Sequence, residues 1–275
     1  MLLSSPVQEV GALSVQPDGR APIRCLLPEE IPVAMVYDGT SHAVMMASPD
    51  DIHDLALGFS LTEGIIDAPS RITEFEIVAH DKGIEARMWL ADDCGQALLR
   101  RRRATFGPVG CGLCGIDSLE EAVREIPDRR HVPLQITAAE IIAAGGQLRS
   151  RQKLHDQTRA VHGAGFLIPG QGILLIREDV GRHNALDKLV GALAREEISP
   201  ATGAIVLTSR VSVEMVQKTA MAGAGILIAA SAPTAHAVRL AERAGLTIAA
   251  LARSGGFELF THPWRMICEV RTDVA

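Results

Sequence analysis

The sequence predicts an α/β protein, α+β overall, in which a small N-terminal α+β roll precedes a larger α/β layer unit. Three observations carry this reading. Over the first 90 or so residues, short apolar runs are separated by tight-turn signals, with one helical stretch among them. From residue 160 onward, apolar runs of strand length alternate with stretches of helical period, the pattern of helices packed on a largely parallel sheet. Between the two parts lies a glycine-flanked pair of thiols, Gly110-Cys111-Gly112-Leu113-Cys114-Gly115.

Residues 1–28 carry Ser, Pro, Gly and Gln without clear periodicity, so a loose arm is expected. Val33 to Tyr37, the turn pair Asp38-Gly39, and Ser41 to Ala47 read as a β-hairpin. Ser48-Pro49 reads as an N-cap with proline in the first helical position. The helix then runs through Ile52, Leu55, Ala56 and Phe59 and stops near Gly64. Phe75 to Ala79 and Ile84 to Leu90 form two more strands about Asp81-Lys82-Gly83, completing the roll. Gln96 to Thr105 is predicted helical and carries Arg100-Arg101-Arg102-Arg103.

Beyond the thiols, Ser118-Leu119-Glu120-Glu121 fits a capping box opening a helix to about Ile126, and Thr137-Ala138-Ala139-Glu140 opens another to about Gln147. Phe166 to Ile168 and Ile173 to Ile176 flank a turn and predict a hairpin. Asn184 is expected to cap a helix through Leu193. Strands follow at 204–208, 226–230, 246–252 and 257–260, with helices from Ser212 to about Gly223 and from Ala235 to Ala244 between them.

Composition narrows the class. Of 275 residues, 47% are hydrophobic and 22% charged, the balance of a soluble globular protein. The net charge of −6 gives no basic field for nucleic acid. Five cysteines, an odd number in a long chain, argue against a secreted disulfide framework. No signal peptide is read at the start, and no apolar run is long enough to span a bilayer, so a cytoplasmic protein with reduced thiols is expected.

In open α/β sheets ligands bind beyond the carboxyl ends of the strands. Here those ends carry Arg177-Glu178-Asp179-Val180-Gly181-Arg182-His183, Ser209-Arg210, Ser231-Ala232-Pro233-Thr234 and Arg253-Ser254-Gly255-Gly256. Arginines, hydroxyls and helix N-termini on one rim suit an anionic, phosphate-bearing ligand. The competing structural reading makes Arg182, Asp179 and Asp187 ion-pair partners and Asn184 a cap. No Gly-x-Gly-x-x-Gly or phosphate-loop fingerprint is present.

The thiol pair admits three chemistries. A structural zinc needs four ligands, and Cys25, Cys94 and Cys268 are isolated from the pair. A zinc deaminase would show His-x-Glu and Pro-Cys-x-x-Cys, whereas Val109-Gly110 precedes Cys111. A thioredoxin-like dithiol belongs in an early βαβ unit, not at a joint. A persulfide-forming thiolate is favoured by positive charge and a helix N-terminus, which the arginine run and the following helix could supply. The residues alone leave all three open.

The block Glu178 to Leu189, the segment Ser209 to Lys218, Ser231-Ala232-Pro233-Thr234 and Cys111-Gly112-Leu113-Cys114-Gly115 together resemble the FdhD family of formate dehydrogenase accessory sulfurtransferases. Pro32 to Tyr37, Ser41 to Pro49 and Leu57 to Ile66 extend the resemblance, which covers roughly residues 29–265.

The resemblance implies a sulfur carrier between a cysteine desulfurase and the molybdenum cofactor of formate dehydrogenase, in its bis-molybdopterin guanine dinucleotide form. Cys111 maps to the persulfide carrier and Cys114 to an assisting thiol. The family's cofactor-binding stretch maps to Leu251, Ala252, Arg253, Ser254, Gly255 and Gly256, although no basic residue follows Arg253 here. Arg182 and Arg210 are added from loop position as phosphate partners. The resemblance also implies a cytidine-deaminase-like fold for residues 108–275, after an α+β roll over 20–107, and a homodimer. No bound metal, nucleic acid or membrane partner is expected. The rival readings are a zinc-dependent deaminase-like hydrolase and a non-catalytic chaperone that only holds the cofactor.

Overall fold

The computed structural model describes residues 5–91, 126–253 and 255–267. The expected helix at 96–105 with its arginine run, both thiols, Ser254 and the junction at 107/108 lie outside these residues. So does the expected helix from Ser118, except for Ile126, which is not helical.

The N-terminal arm corrects the first expectation. Strands β1 (Val7–Gln16) and β2 (Gly19–Pro28) form an antiparallel hairpin around Pro17-Asp18. Strands β3 (Ile31–Tyr37) and β4 (Thr40–Ala47) pair about Asp38-Gly39, both with positive φ, as a tight hairpin turn requires. Helix α1 (Ile52–Thr62) follows, then β5 (Ile72–His80) and β6 (Gly83–Leu90). The sheet order is β4-β3-β6-β5, with β3 and β6 parallel. Alternate residues Val33, Met35 and Tyr37 meet Ile84, Ala86 and Met88 and the apolar side of α1 in one core.

Two expected caps are corrected by long-range bonds. Helix α1 starts three residues after Pro49, with Asp51 at the cap in a left-handed conformation (φ 55°) and no side-chain cap. Ser48 is engaged elsewhere: its N–H donates to Asp179 Oδ2 (3.0 Å), and its Oγ accepts from the Val180 N–H (3.2 Å). Asn184 likewise lies inside its helix. Its Nδ2 donates to the Met46 carbonyl (2.8 Å) and to Asp179 Oδ1 (3.0 Å), and Gly181 holds the cap position.

Chain order continues with β7 (Ile136–Thr137), α2 (Ala138–Arg149) and α3 (Lys153–Thr158). The capping box on α2 is complete, Thr137 Oγ1 accepting from the Glu140 N–H and Glu140 accepting from the Thr137 N–H. Then come β8 (His162–Ile168), β9 (Gly172–Asp179), α4 (Arg182–Arg195), β10 (Ala204–Leu207), α5 (Val213–Ala222), β11 (Ile226–Ala229), α6 (Ala235–Ala244), β12 (Thr247–Arg253) and β13 (Gly256–Leu259). The last short strand, β14 (Met266–Ile267), pairs with β7.

These strands build a six-stranded sheet in the order β13-β12-β11-β10-β8-β9. It is less parallel than expected: β10, β11 and β12 pair in parallel, while β8 and β13 run antiparallel to their neighbours. The central strands are buried on both faces. Ile205, Leu207, Leu227 and Ala229 face the core under α4, α5 and α6, and Val206, Ile226 and Ile228 face the core with Ile141, Ala144 and Leu148 of α2. The roll docks on this layer by packing α1 against α4.

Candidate functional site

Strand direction places the site. Strand β9 is antiparallel to β8, and β8 to β10, so β9, β10, β11 and β12 all point the same way. Their carboxyl ends share one edge with the amino ends of β8 and β13. Helices α4, α5 and α6 also begin there, and the positive ends of their dipoles favour anions. This edge carries Arg182, exposed Arg210 and exposed Arg253, together with Leu251, Ala252, Gly255 and Gly256. None of the three arginines forms an ion pair or a side-chain hydrogen bond with another described residue.

The rim loops are tied to one another. The Val211 N–H donates to the Ala232 carbonyl (3.2 Å) and the Thr234 N–H to the Val211 carbonyl (3.0 Å), bridging the loops after β10 and β11. The Leu251 N–H reaches the Ser231 carbonyl (3.4 Å). Strand β12 is irregular at this point: its register to β13 shifts between Ala250 and Arg253, and Leu251 sits at φ 55°. A leucine in the left-handed region is strained, and such irregularities re-aim side chains at sheet ends. Gly256 follows at φ 141°, where an L side chain is disfavoured.

Asp179 fixes the loop bearing Arg182. Its Oδ1 accepts from the Gly181 N–H (2.8 Å), and its Oδ2 lies 2.7 Å from Lys188 Nζ, with both side chains fully buried. A second buried cation, Lys218 Nζ, donates to both oxygens of Asp187 (3.0 and 2.9 Å), to Glu63 Oε1 (2.9 Å) and to Thr62 Oγ1 (3.0 Å). Burial pushes the Lys218 ammonium down, but the Asp187 and Glu63 carboxylates outweigh it and hold it above its usual range. Burial also lifts Asp187, against the pull of Lys218, which taken alone favours the neutral acid. The two-oxygen geometry decides for an ionised pair. Asp179 and Asp187 are therefore structural ion-pair partners, whereas Arg182 pairs with no other described residue.

The sequence reading names His183 as the last residue of the rim segment 177–183 and, with His162, as a ligand that a zinc site would have to bring close to the thiols. The His183 imidazole lies 4.0 Å from Glu214 Oε2, and its buried Nε2 has no hydrogen-bond partner. Burial first, then the charges of Lys218 and Arg182, lower its pKa to about 3. Burial and Arg182 push His162, at the start of β8, in the same direction. Folded His183 thus stays neutral where the unfolded chain would already bind a proton near pH 6.5. Stability falls as pH drops from about 6.5 towards 3. His183→Gln is expected to remove about 2 kcal/mol of the loss between pH 7 and 4.5, read by urea unfolding at both pH values. Equal losses in the two proteins would count against the assignment. The signal available in sequence was a histidine two residues after a strand-end glycine, which alone is too common to select.

Among the described residues no group of three or more His, Cys, Asp or Glu side chains comes together as a metal site. No helix there is long and apolar enough to cross a membrane. Cys111 and Cys114 are not among the described residues, so the rim is defined by its basic and backbone groups.

Fold and rim together define a mixed α/β protein with an anion-directed sheet edge and a separate roll packed behind it. The FdhD/NarQ family profile matches residues 28–267, and the chain belongs to the FdhD/NarQ family. A relative from Agrobacterium fabrum, named sulfur carrier protein FdhD, is 54% identical over 241 residues, covering 88% of this chain and 89% of the relative. One of the same name from Cupriavidus necator is 47% identical over 256 residues, covering 93% and 86%. A solved structure from Desulfotalea psychrophila, assigned to formate dehydrogenase accessory proteins, superimposes with a TM-score of 0.75. It covers 96% of this chain and 100% of its own at 24% identity, a likeness of fold.

Proposed function

We propose that this protein carries sulfur from a cysteine desulfurase to the molybdenum cofactor of formate dehydrogenase. The observation that carries the reading is the family match across residues 28–267, with relatives named sulfur carriers at 54% and 47% identity. The rim arginines, which pair with no other described residue, support the acceptor half of it, because guanine dinucleotide arms present phosphates. We further take the roll and the layer unit as two lobes, 20–107 and 108–275.

In the first step the Cys111 thiolate attacks the outer sulfur of the desulfurase persulfide. A new S–S bond forms at Cys111, the donor S–S bond breaks, and the donor cysteine leaves as thiolate. Arg182, Arg210 and Arg253 would hold the phosphates of the acceptor, bis-molybdopterin guanine dinucleotide, at the rim beside residues 251–256. Delivering the carried sulfur as sulfide requires two electrons. Cys114 supplies them by attacking the inner sulfur, so that sulfide departs and a Cys111–Cys114 disulfide remains for a cellular dithiol to reduce.

Intact-mass analysis after incubation with a cysteine desulfurase and free cysteine tests the proposal. A gain of one sulfur atom is expected in the native protein and in Cys114→Ala, reversed by reductant, and none in Cys111→Ala. An adduct that survives Cys111→Ala, or no adduct at all, overturns it.

A further inference from the structure

The hairpin β1–β2 belongs to none of the hydrophobic cores. Its ten cross-strand pairs run from Val7/Pro28 to Gln16/Gly19 without a bulge, and none of its residues is fully buried. It rests on the body at α3, chiefly through β2. Val10, Leu13, Val15, Ile23, Leu26 and Leu27 are all exposed. A two-stranded ribbon without a buried face is marginal in water, and stability needs a third strand or more. The two long edges of this ribbon differ. Leu13 lies opposite Pro22, which has no N–H, so this pair cannot exchange two ladder bonds. Bonded and non-bonded pairs alternate in an antiparallel ladder. The backbone groups of Glu9, Gly11, Leu13 and Val15 therefore point away from β2, and those of Arg20, Pro22, Arg24 and Leu26 point away from β1. A proline and two arginines guard the β2 edge, as edge strands usually require. The β1 edge has no proline, no basic residue and no bulge. No described residue outside the hairpin hydrogen-bonds to its four outward positions.

We propose that the β1 edge pairs with β1 of a second copy of this chain, antiparallel about a two-fold axis, giving a four-stranded sheet in the order β2-β1-β1-β2. Charge, register and closure select a second copy over a foreign strand. Glu9 is the one charged residue of β1, and Arg24 already holds it at 2.6 Å. Two β1 strands thus meet without like-charge repulsion, and neither presents a free charge that calls for an oppositely charged partner. With the axis at Ala12, Gly11 of one copy faces Leu13 of the other and Glu9 faces Val15, so every outward group finds an outward group and the carboxylates are never opposed. The new sheet ends on two guarded β2 edges, so assembly stops at two copies, as a closed isologous contact requires. The resemblance implies a homodimer but names no surface for it. The family match begins at residue 28, where the hairpin ends, so the inference stands independently of the sulfur-carrier reading.

Sedimentation equilibrium of the full chain over a range of concentrations, joined to residue-resolved hydrogen exchange, tests it. The native protein is expected to dimerise, and the outward amides of Gly11 and Leu13 to exchange more slowly as concentration rises. Gly11→Lys is the probing variant. A Cβ there meets nothing within 4 Å in its own copy, so the hairpin tolerates it. In the pair it brings two ammonium groups together beside the axis, and the dimer is expected to weaken about 100-fold. Mixing Gly11→Lys with Gly11→Glu protein should restore association by placing opposite charges across the axis, a rescue that a damaged hairpin would not show. Unchanged amide protection in β10 and β11 controls for folding. A native protein that stays monomeric, a dimer that Gly11→Lys leaves intact, or a weakened dimer that the mixture fails to rescue each overturns the proposal.

Discussion

Replacing Gly191 by alanine is expected to destabilise the protein by about 3 kcal/mol or more. On an isolated helix the same change would stabilise by about 1 kcal/mol, because alanine is the better helix former. Packing reverses the sign. A Cβ on Gly191 would lie 1.9 Å from the Asp54 carbonyl oxygen and 2.8 Å from the Asp54 Cα, so α1 has to move bodily. Gly58 has the reciprocal relation from the other helix, with its Cβ falling 1.7 Å from the Asp187 carbonyl oxygen. Neither obstacle is a flexible side chain that could swing aside. Moving α1 would also pull Asp54 from Arg177 and Arg195, and Ser60 from Tyr37. Gly146 in α2 is the control: its Cβ would meet nothing within 4 Å, so Gly146→Ala should be neutral or slightly stabilising. Urea unfolding of both variants checks the pair, and a Gly191→Ala protein as stable as the parent would refute the close helix contact.

Local chemistry made much of this fold legible. Asp38-Gly39, the Thr137–Glu140 box, and Gly223 past the end of α5 act over a few residues, and the corresponding elements form where the sequence places them. The sequence also contained the signal for the N-terminal hairpin, since Asp18-Gly19 sits between two strand-length runs, but proline and serine in the flanks obscured it. Other features depended on distant partners. Ser48 has the composition of a cap, yet its groups are claimed by residues 131 and 132 positions away. Nothing local marks Lys188 and Lys218 as buried, because lysine is almost never fully buried without a partner. The sequence already offered Asp179 and Asp187 as ion-pair partners, but that their cations are Lys188 and Lys218 follows only from the packing. The mixed direction of the sheet was hidden for a related reason: a fully buried antiparallel strand such as β8 has the same apolar run as a parallel one. Strand-end loops, by contrast, follow from chain order, and so the rim arginines could be grouped without coordinates.

Lys188→Met is the second change with a large expected cost, about 3–5 kcal/mol. Methionine matches the length and apolar volume of the lysine stem, so the deficit comes from charge. Lys188 Nζ is bonded to Asp179 (2.7 Å) and to the Ser48 carbonyl (3.0 Å) in a site closed to solvent. Removing the cation leaves a fully buried carboxylate held only by the N–H groups of Ser48, Gly181 and Asn184. Those donors suit Asp179 but cannot neutralise it, and taking one partner from a buried pair costs far more than the pair contributes. Adding Asp179→Asn should therefore recover much of the loss, because it removes the uncompensated charge and its single amide oxygen can still accept from Gly181 and Asn184, at the cost of the Ser48 N–H bond. A double-mutant cycle by urea unfolding measures this, with a coupling energy of about 2 kcal/mol or more expected. The loop consequence is separable: Asp179 shapes the turn that presents Arg182, so the single variant should also loosen amide protection at Gly181 and Arg182 while the double variant restores it. Additive losses with no coupling would mean that the two charges do not act as a pair, and the link between the buried seam and the rim would fall with it.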